Sequence, residues 1–153
     1  MKLIFSLIIA TVTTILFAAQ EPLMTEYQTK MLERRSSEAR ELWNEMKSSG
    51  FTTTTVAALD FVYFSNSERE ASNLIEQLSE NYTLELVPAD NPEYVLVNGT
   101  TRPYGNEFTY EQWIDWVEFM VKVGFSHNST FSTWSVYSPK TKSTWSSESI
   151  EVE

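Results

Sequence analysis

Hydrophobic residues after residue 20 first recur with the period of an amphipathic helix. Between residues 21 and 49 the apolar positions are spaced by three, four and seven, and the opposite face is charged. Pro22 stands near the start of this segment and Gly50 follows its end, as is typical of helix boundaries. We therefore predict an N-terminal amphipathic helix, the unit 21–50, whose apolar face another part of the fold must cover.

The next pattern is an apolar run over residues 56–64, interrupted by Asp60. A short run rich in Val and aromatic residues is typical of a central strand with both faces covered. Ser67, followed three residues later by Glu70, forms a capping-box pattern, and the apolar spacing behind it predicts a helix over residues 68–80.

Residues 82–87 alternate apolar and polar side chains, and residues 93–101 resume an extended pattern after a turn that contains Pro88 and Pro92. These two strands are expected to form an antiparallel hairpin. A second capping-box pattern, Thr109 with Gln112, opens a predicted helix over residues 110–123 that ends at Gly124. A last strand is predicted over residues 130–137.

The predicted order from residue 56 is strand, helix, strand, strand, helix, strand. In an α+β chain with right-handed crossovers, this order favours the ferredoxin-like βαββαβ fold over residues 51–138. Such a fold has a four-stranded antiparallel sheet with two helices on one face. The other face stays open, and the N-terminal amphipathic helix is the available cover. The polar segment 139–153 is expected to be a disordered acidic tail.

The first twenty residues are predicted to lie outside this fold. Lys2 precedes an uncharged run over residues 3–17, which ends in Ala18 and Ala19. This layout is typical of a secretory signal peptide, so a periplasmic or secreted location is expected. The alternative is an uncleaved anchor in the inner membrane formed by residues 3–19, because the run reaches the lower length limit for a bilayer span. The membrane is expected to be contacted only in that case.

Composition excludes several classes of function. The formal net charge is -10, so we expect no direct binding of nucleic acid and instead a protein partner of basic character. The chain has no Cys and one His, which excludes disulfides, thiol nucleophiles and two-His metal motifs. With so few catalytic side chains, we expect neither a metal nor another cofactor, and no enzymatic activity.

Candidate site residues are therefore sought among charged and aromatic side chains. An unpaired carboxylate is costly in an apolar strand, so Asp60 is expected to bond to a neighbour such as Arg102 or Trp134. The alternative is that Asp60 is a functional carboxylate on the open face. Trp43 belongs to the helix outside the minimal fold, and it either docks on the sheet or serves as an anchor for a partner.

Several of these segments together resemble a known family. They are ELWNEMKSSG, ALDFVYF, EREASNLIEQLSEN followed by YTLELV, and above all the closing GFSHNSTFSTWSVY. In order and pattern, residues 39–137 resemble the regulator of ribonuclease activity B family, the ribonuclease E inhibitor proteins. Members close with a tyrosine, an acidic residue and Gly-Trp-Gly. Trp134 matches that tryptophan, and Thr133 and Ser135 stand in place of the glycines.

The resemblance implies a ferredoxin-like fold and a non-enzymatic role, in which the domain binds the endoribonuclease and slows RNA decay. Ribonuclease E acts on the cytoplasmic side, so an exported chain does not inhibit it directly. We therefore expect a protein-binding regulatory domain with another target. One alternative is a small-ligand-binding protein or enzyme that uses the open sheet face, with Asp60 and Arg102 near its mouth. Another is a true ribonuclease regulator whose N-terminal segment does not direct export.

Overall fold

The computed structural model describes residues 23–152, so the segment interpreted as a signal peptide or anchor, residues 1–20, lies outside the described residues. The elements are α1 (Glu26–Ser48), β1 (Ala58–Ser65), α2 (Glu68–Leu78), β2 (Thr83–Pro88), β3 (Val95–Thr100), α3 (Tyr110–Ser126), β4 (Ser129–Ser138), β5 (Ser143–Ser146) and a short 3₁₀ helix (Ser147–Ser149). Within residues 23–152, no helix has both the length and the apolar character needed to cross a bilayer.

The strands form one antiparallel sheet in the order β2-β3-β1-β4-β5. The predicted α+β class is confirmed, and so is the predicted hairpin, which joins β2 to β3 with Leu84 opposite Gly99. The central position of β1 agrees with its apolar sequence. The sheet differs from the expected one in having five strands instead of four.

Two of the three helices begin as their sequences predict. The hydroxyl of Thr109 accepts the backbone N–H of Gln112, and the Gln112 side chain accepts the backbone N–H of Thr109, which completes a capping box at α3. At α2 the Ser67 hydroxyl accepts the backbone N–H of Glu70. These bonds pair N–H groups that have no partner inside a helix.

The predicted end of α3 at Gly124 is wrong. The helix continues to Ser126 and His127 is its C-cap, whereas Gly124 is buried within the last turns. A Cβ atom at position 124 would lie 2.9 Å from the carbonyl oxygen of Ser129 and 2.9 Å from a ring carbon of Tyr63. Gly124 therefore allows close packing of α3 on the sheet.

The predicted disordered tail is also corrected. Ser143–Ser146 forms β5, in which Trp145 lies opposite Val136 of β4. The Trp145 side chain is buried, and its ring contacts Phe51 edge-on at 5.8 Å between centroids. One buried tryptophan and an available strand edge hold this segment in place, although its composition is mostly polar.

The N-terminal helix does not cover the free face of the sheet, contrary to expectation. It packs beside α3, where the indole Nε1–H of Trp113 donates to the carbonyl of Ala39 at 2.9 Å. On the same helix, Arg35 donates from Nε to the carbonyl of Phe131 at 3.1 Å and pairs with the buried Glu38 at 2.6 Å. These bonds attach α1 to α3 and β4, on the side of the sheet that already carries helices.

Between the sheet and the helices lies a core rich in aromatic side chains. Phe61 and Tyr63 of β1, Phe131 and Trp134 of β4, and Trp113 of α3 are each at most 2% exposed. The phenol of Tyr63 donates to the backbone carbonyl of Met120 at 2.8 Å, which joins the central strand to α3. The covered side of the sheet is therefore packed mainly by rings.

Replacement of Trp145 by alanine tests the ordered tail. We expect Trp145→Ala to lower the free energy of unfolding by about 3 kcal/mol, because it leaves a cavity where a large ring was buried. Urea unfolding followed by circular dichroism measures this change. The control is Thr144→Ala, an exposed position on the same strand, which should change stability by less than about 0.5 kcal/mol. Equal stabilities of the two variants would contradict the packing of β5.

Burial of Tyr63 predicts a loss of stability at alkaline pH. Desolvation by burial raises the pKa of Tyr63 well above its usual value, and Tyr82 adds to this rise. The unfolded chain therefore loses the Tyr63 proton more easily, near pH 10. Stability should not depend on this group below about pH 10 and should fall above it.

Urea unfolding on both sides of this pH measures the effect. The decline should be shallower in Tyr63→Phe than in the unmodified protein. It should be unchanged in Tyr104→Phe, because Tyr104 is an exposed tyrosine. A Tyr63→Phe variant with the same alkaline decline as the unmodified protein would show that another group causes it.

Candidate functional site

The side chains of β1 divide between the two faces of the sheet. Phe61 and Tyr63 point toward the helices, whereas Asp60, Val62 and Phe64 point the other way, since neighbouring residues of a strand face opposite sides. Residues directly opposite one another on adjacent strands share a face. The second face therefore also carries three residues of β3 and three of β4: Leu96, Asn98, Thr100, Thr130, Thr133 and Ser135. We call it the open face.

One half of the open face is a polar groove with a volume of about 460 Å³. Its lining is rich in hydroxyl, amide and carboxylate groups, from Asp60, Thr83, Glu85, Asn98, Thr100, Thr133, Ser135, Ser146 and Glu148. Among residues 23–152, neither Glu85 nor Glu148 forms a salt bridge. The groove therefore offers two uncompensated negative charges beside many hydrogen-bonding groups.

Asp60 lies at one end of this groove and is held by a charged partner. Arg102 donates from Nε to both carboxylate oxygens at 3.1 Å and from Nη2 to Oδ2 at 2.6 Å. The hydroxyl of Thr100 donates to Oδ1, and the Arg102 guanidinium carbon lies 4.2 Å from the ring centroid of Tyr137. Of the two partners expected for Asp60, Arg102 forms the bond and Trp134 does not, and the bond ties the loop after β3 to β1 and β4.

The other half of the open face is apolar. Phe64 of β1 lies opposite Leu96 of β3, and Leu96 lies opposite Val87 of β2. The three side chains therefore form a row across three adjacent strands. Phe64 is 41% exposed and Tyr94 is 40% exposed, and their rings contact each other edge-on at 6.3 Å between centroids. The apolar half is thus a contiguous accessible patch next to the acidic groove.

The two tryptophans proposed from the sequence lie elsewhere, in the core. Trp43 packs against Phe51 and Tyr110, each at 5.6 Å between ring centroids, so it docks on the fold and is not presented to a partner. Trp134 is 1% exposed and stacks on Phe131 at 5.0 Å. Of the four candidates from the sequence, the structure brings Asp60 and Arg102 together on the open face and places Trp43 and Trp134 inside.

Among residues 23–152, the other charged and titratable groups do not form a second cluster of site residues. His127 contacts Gln77 through Nε2 at 2.5 Å on the surface. Within the described part of the chain, no group of three or more His, Asp or Glu side chains is placed to hold a metal ion. What the open face offers chemically is hydrogen bonding, negative charge and aromatic contact area.

Sequence reasoning missed four residues of the open face. Glu85 is on the polar side of an alternating strand, which the pattern did show, but Glu148 follows a strand that was not predicted. Phe64 was missed because β1 was expected to be covered on both faces, and Tyr94 was missed because it lies outside β1, directly before β3. No pattern in the sequence distinguishes an aromatic residue on a covered face from one on an open face.

Comparison of the chain with protein-family models and with curated proteins found no match.

The bond between Asp60 and Arg102 is tested by a double-mutant cycle. Arg102→Ala should lower the free energy of unfolding by about 1 kcal/mol, because a bidentate salt bridge is lost at a partly exposed position. In the Asp60→Ala background the same change should cost about half as much or less. Arg69→Ala is the control, since Arg69 is exposed and reaches Glu70 only at 3.4 Å. Equal effects of Arg102→Ala in both backgrounds would contradict the coupling.

Proposed function

We propose that this chain is a non-enzymatic protein-binding domain whose open face receives a basic partner. The observation that carries the proposal is the pairing, on one uncovered sheet face, of the uncompensated Glu85 and Glu148 with the exposed Phe64 and Tyr94. Interfaces commonly combine aromatic anchors with complementary charge. Both requirements are met within one surface.

We further propose that the fold is ferredoxin-like with an added strand. The strand order β2-β3-β1-β4 and the placement of α2 and α3 between successive strands support this assignment. β5 then extends the sheet beside β4. This architecture, and the segments quoted above, support the resemblance to the regulator of ribonuclease activity B family.

The mechanism is occlusion. The negative groove steers a basic segment toward the sheet and sets its orientation, since complementary charge speeds association and disfavours acidic competitors. The aromatic half then supplies contact area that excludes water. Binding blocks the surface of the partner and needs no chemical step. The layout of residues 2–19 supports a target outside the cytoplasm, so the partner is an exported protein and not ribonuclease E itself.

The proposal is tested with defined peptides. A peptide of alternating Lys and Leu should bind the purified protein, as measured by calorimetry at low salt, because it presents cations and apolar side chains together. The double variant Glu85→Lys/Glu148→Lys should weaken binding at least about 10-fold, since two attractions become repulsions. Phe64→Ala should weaken it by a similar factor through lost contact area.

The matched control is Glu33→Lys/Glu76→Lys, which changes the net charge equally on exposed helix positions away from the open face. Similar losses in the two double variants would mean that net charge alone governs binding, which contradicts a site on the open face. Fractionation of the producing cells tests export. A full-length chain in the cytoplasm would contradict it and favour a ribonuclease regulator.

A further inference from the structure

A second concavity lies on the side of the sheet that carries the helices, between the start of β1, the turn before β2 and the start of α3. Its volume is about 320 Å³, within the size range of small-molecule sites. We call it the aromatic cleft. None of the residues that line the cleft also lines the groove of the open face. Of two adjacent residues in β1, Leu59 lines the cleft and Asp60 lines the groove.

One wall of the cleft is made of rings. Phe108 stacks on Trp113 at 5.7 Å, and Trp113 stacks on Trp116 at 5.5 Å between centroids, with planes within 20° of each other. Trp113 is 1% exposed and its indole N–H is used by Ala39, so this wall is fixed by packing and by a hydrogen bond. A rigid apolar wall lets a ligand bind without ordering the site first.

Polar groups with unused hydrogen-bonding capacity surround this wall. The Tyr82 oxygen accepts the indole N–H of Trp116 at 2.9 Å, and its own hydrogen remains available. The side-chain amides of Asn81 and Asn106 have no hydrogen-bond partner within residues 23–152. Gln112 uses its amide oxygen for the helix cap, which leaves its NH₂ group free. The cleft thus presents several neutral donors and acceptors beside an apolar surface.

The lining contains no charged residue, although the chain as a whole carries a formal charge of -10. Tyr82 also stays neutral well into the alkaline range, because burial raises its pKa, an effect that the hydrogen bond from Trp116 partly offsets. An ionic ligand would find no counter-charge and would lose its hydration there. The cleft therefore fits an uncharged ligand.

We propose that the aromatic cleft binds a neutral carbohydrate unit. Sugar hydroxyls both donate and accept hydrogen bonds, which suits primary amides and phenols, and the C–H faces of a sugar suit the partly exposed rings of Phe108 and Trp116. A planar base fits less well, because it offers fewer hydroxyl groups than a sugar to the amides of Asn81, Asn106 and Gln112. The site is independent of the proposed binding of a basic protein segment to the open face.

Calorimetry with N-acetylglucosamine and maltose as probes tests the proposal, with adenosine as a planar probe and glucosamine and glucuronate as charged ones. A neutral sugar should bind saturably at millimolar concentration, whereas the charged probes should not. Asn81→Ala and Asn106→Ala should each weaken sugar binding about 5-fold, the usual effect of losing one neutral hydrogen bond. Both positions are exposed, so these variants should fold normally.

The control is Asn66→Ala, an exposed asparagine outside the cleft, which should leave sugar affinity unchanged. The proposal is overturned if neither sugar binds, if adenosine or a charged probe binds more tightly than both sugars, or if both cleft variants bind like the control. None of these outcomes bears on the open face, because binding of the Lys and Leu peptide is measured separately.

Discussion

The packing of Phe61 is the contact on which the covered side of the fold depends. Its ring lies within 5.1 to 6.4 Å of the rings of Tyr63, Tyr82, Trp116 and Phe131, measured between centroids, and so joins β1, β4, α3 and the turn before β2. Gly99 lies opposite Phe61 on β3, and a Cβ there would collide with the ring. Because the chain has no Cys, these ring contacts hold the covered side together without any disulfide.

In the described residues, α1, α2 and α3 pack on one side of the sheet and leave its other side uncovered. Arg35 and Glu38 contribute to this arrangement, because their bonds attach α1 near Phe131 instead of across Asp60. The open face then keeps its acidic groove and its patch around Phe64. The aromatic cleft arises on the covered side, where the ring wall reaches the surface beside Asn81 and Asn106. The central strand β1 thus contributes Asp60 to the charged groove on one side and Leu59 to the uncharged cleft on the other.

Local patterns predicted the elements well wherever the signal involves near neighbours in the chain. Thr109 with Gln112, the alternation in β2 and the apolar run of β1 each depend on contacts within one helix turn or one strand. The class and the hairpin followed from them, whereas the partner of Asp60, 42 residues away, was left open between Arg102 and Trp134. Gly124 was misassigned because its role depends on Tyr63 and Ser129, which belong to other elements.

By itself, the sequence determined the helices, four of the strands, the acidic character and the need to pair Asp60. Only the tertiary structure decided that the tail adds β5, that Trp43 and Trp134 are buried, and that α1 leaves one sheet face free. The physical reason is that periodicity reports which side chains share a face, whereas what covers that face is set by contacts between distant segments. Trp145 illustrates this, since its burial depends on Phe51, far away in the chain.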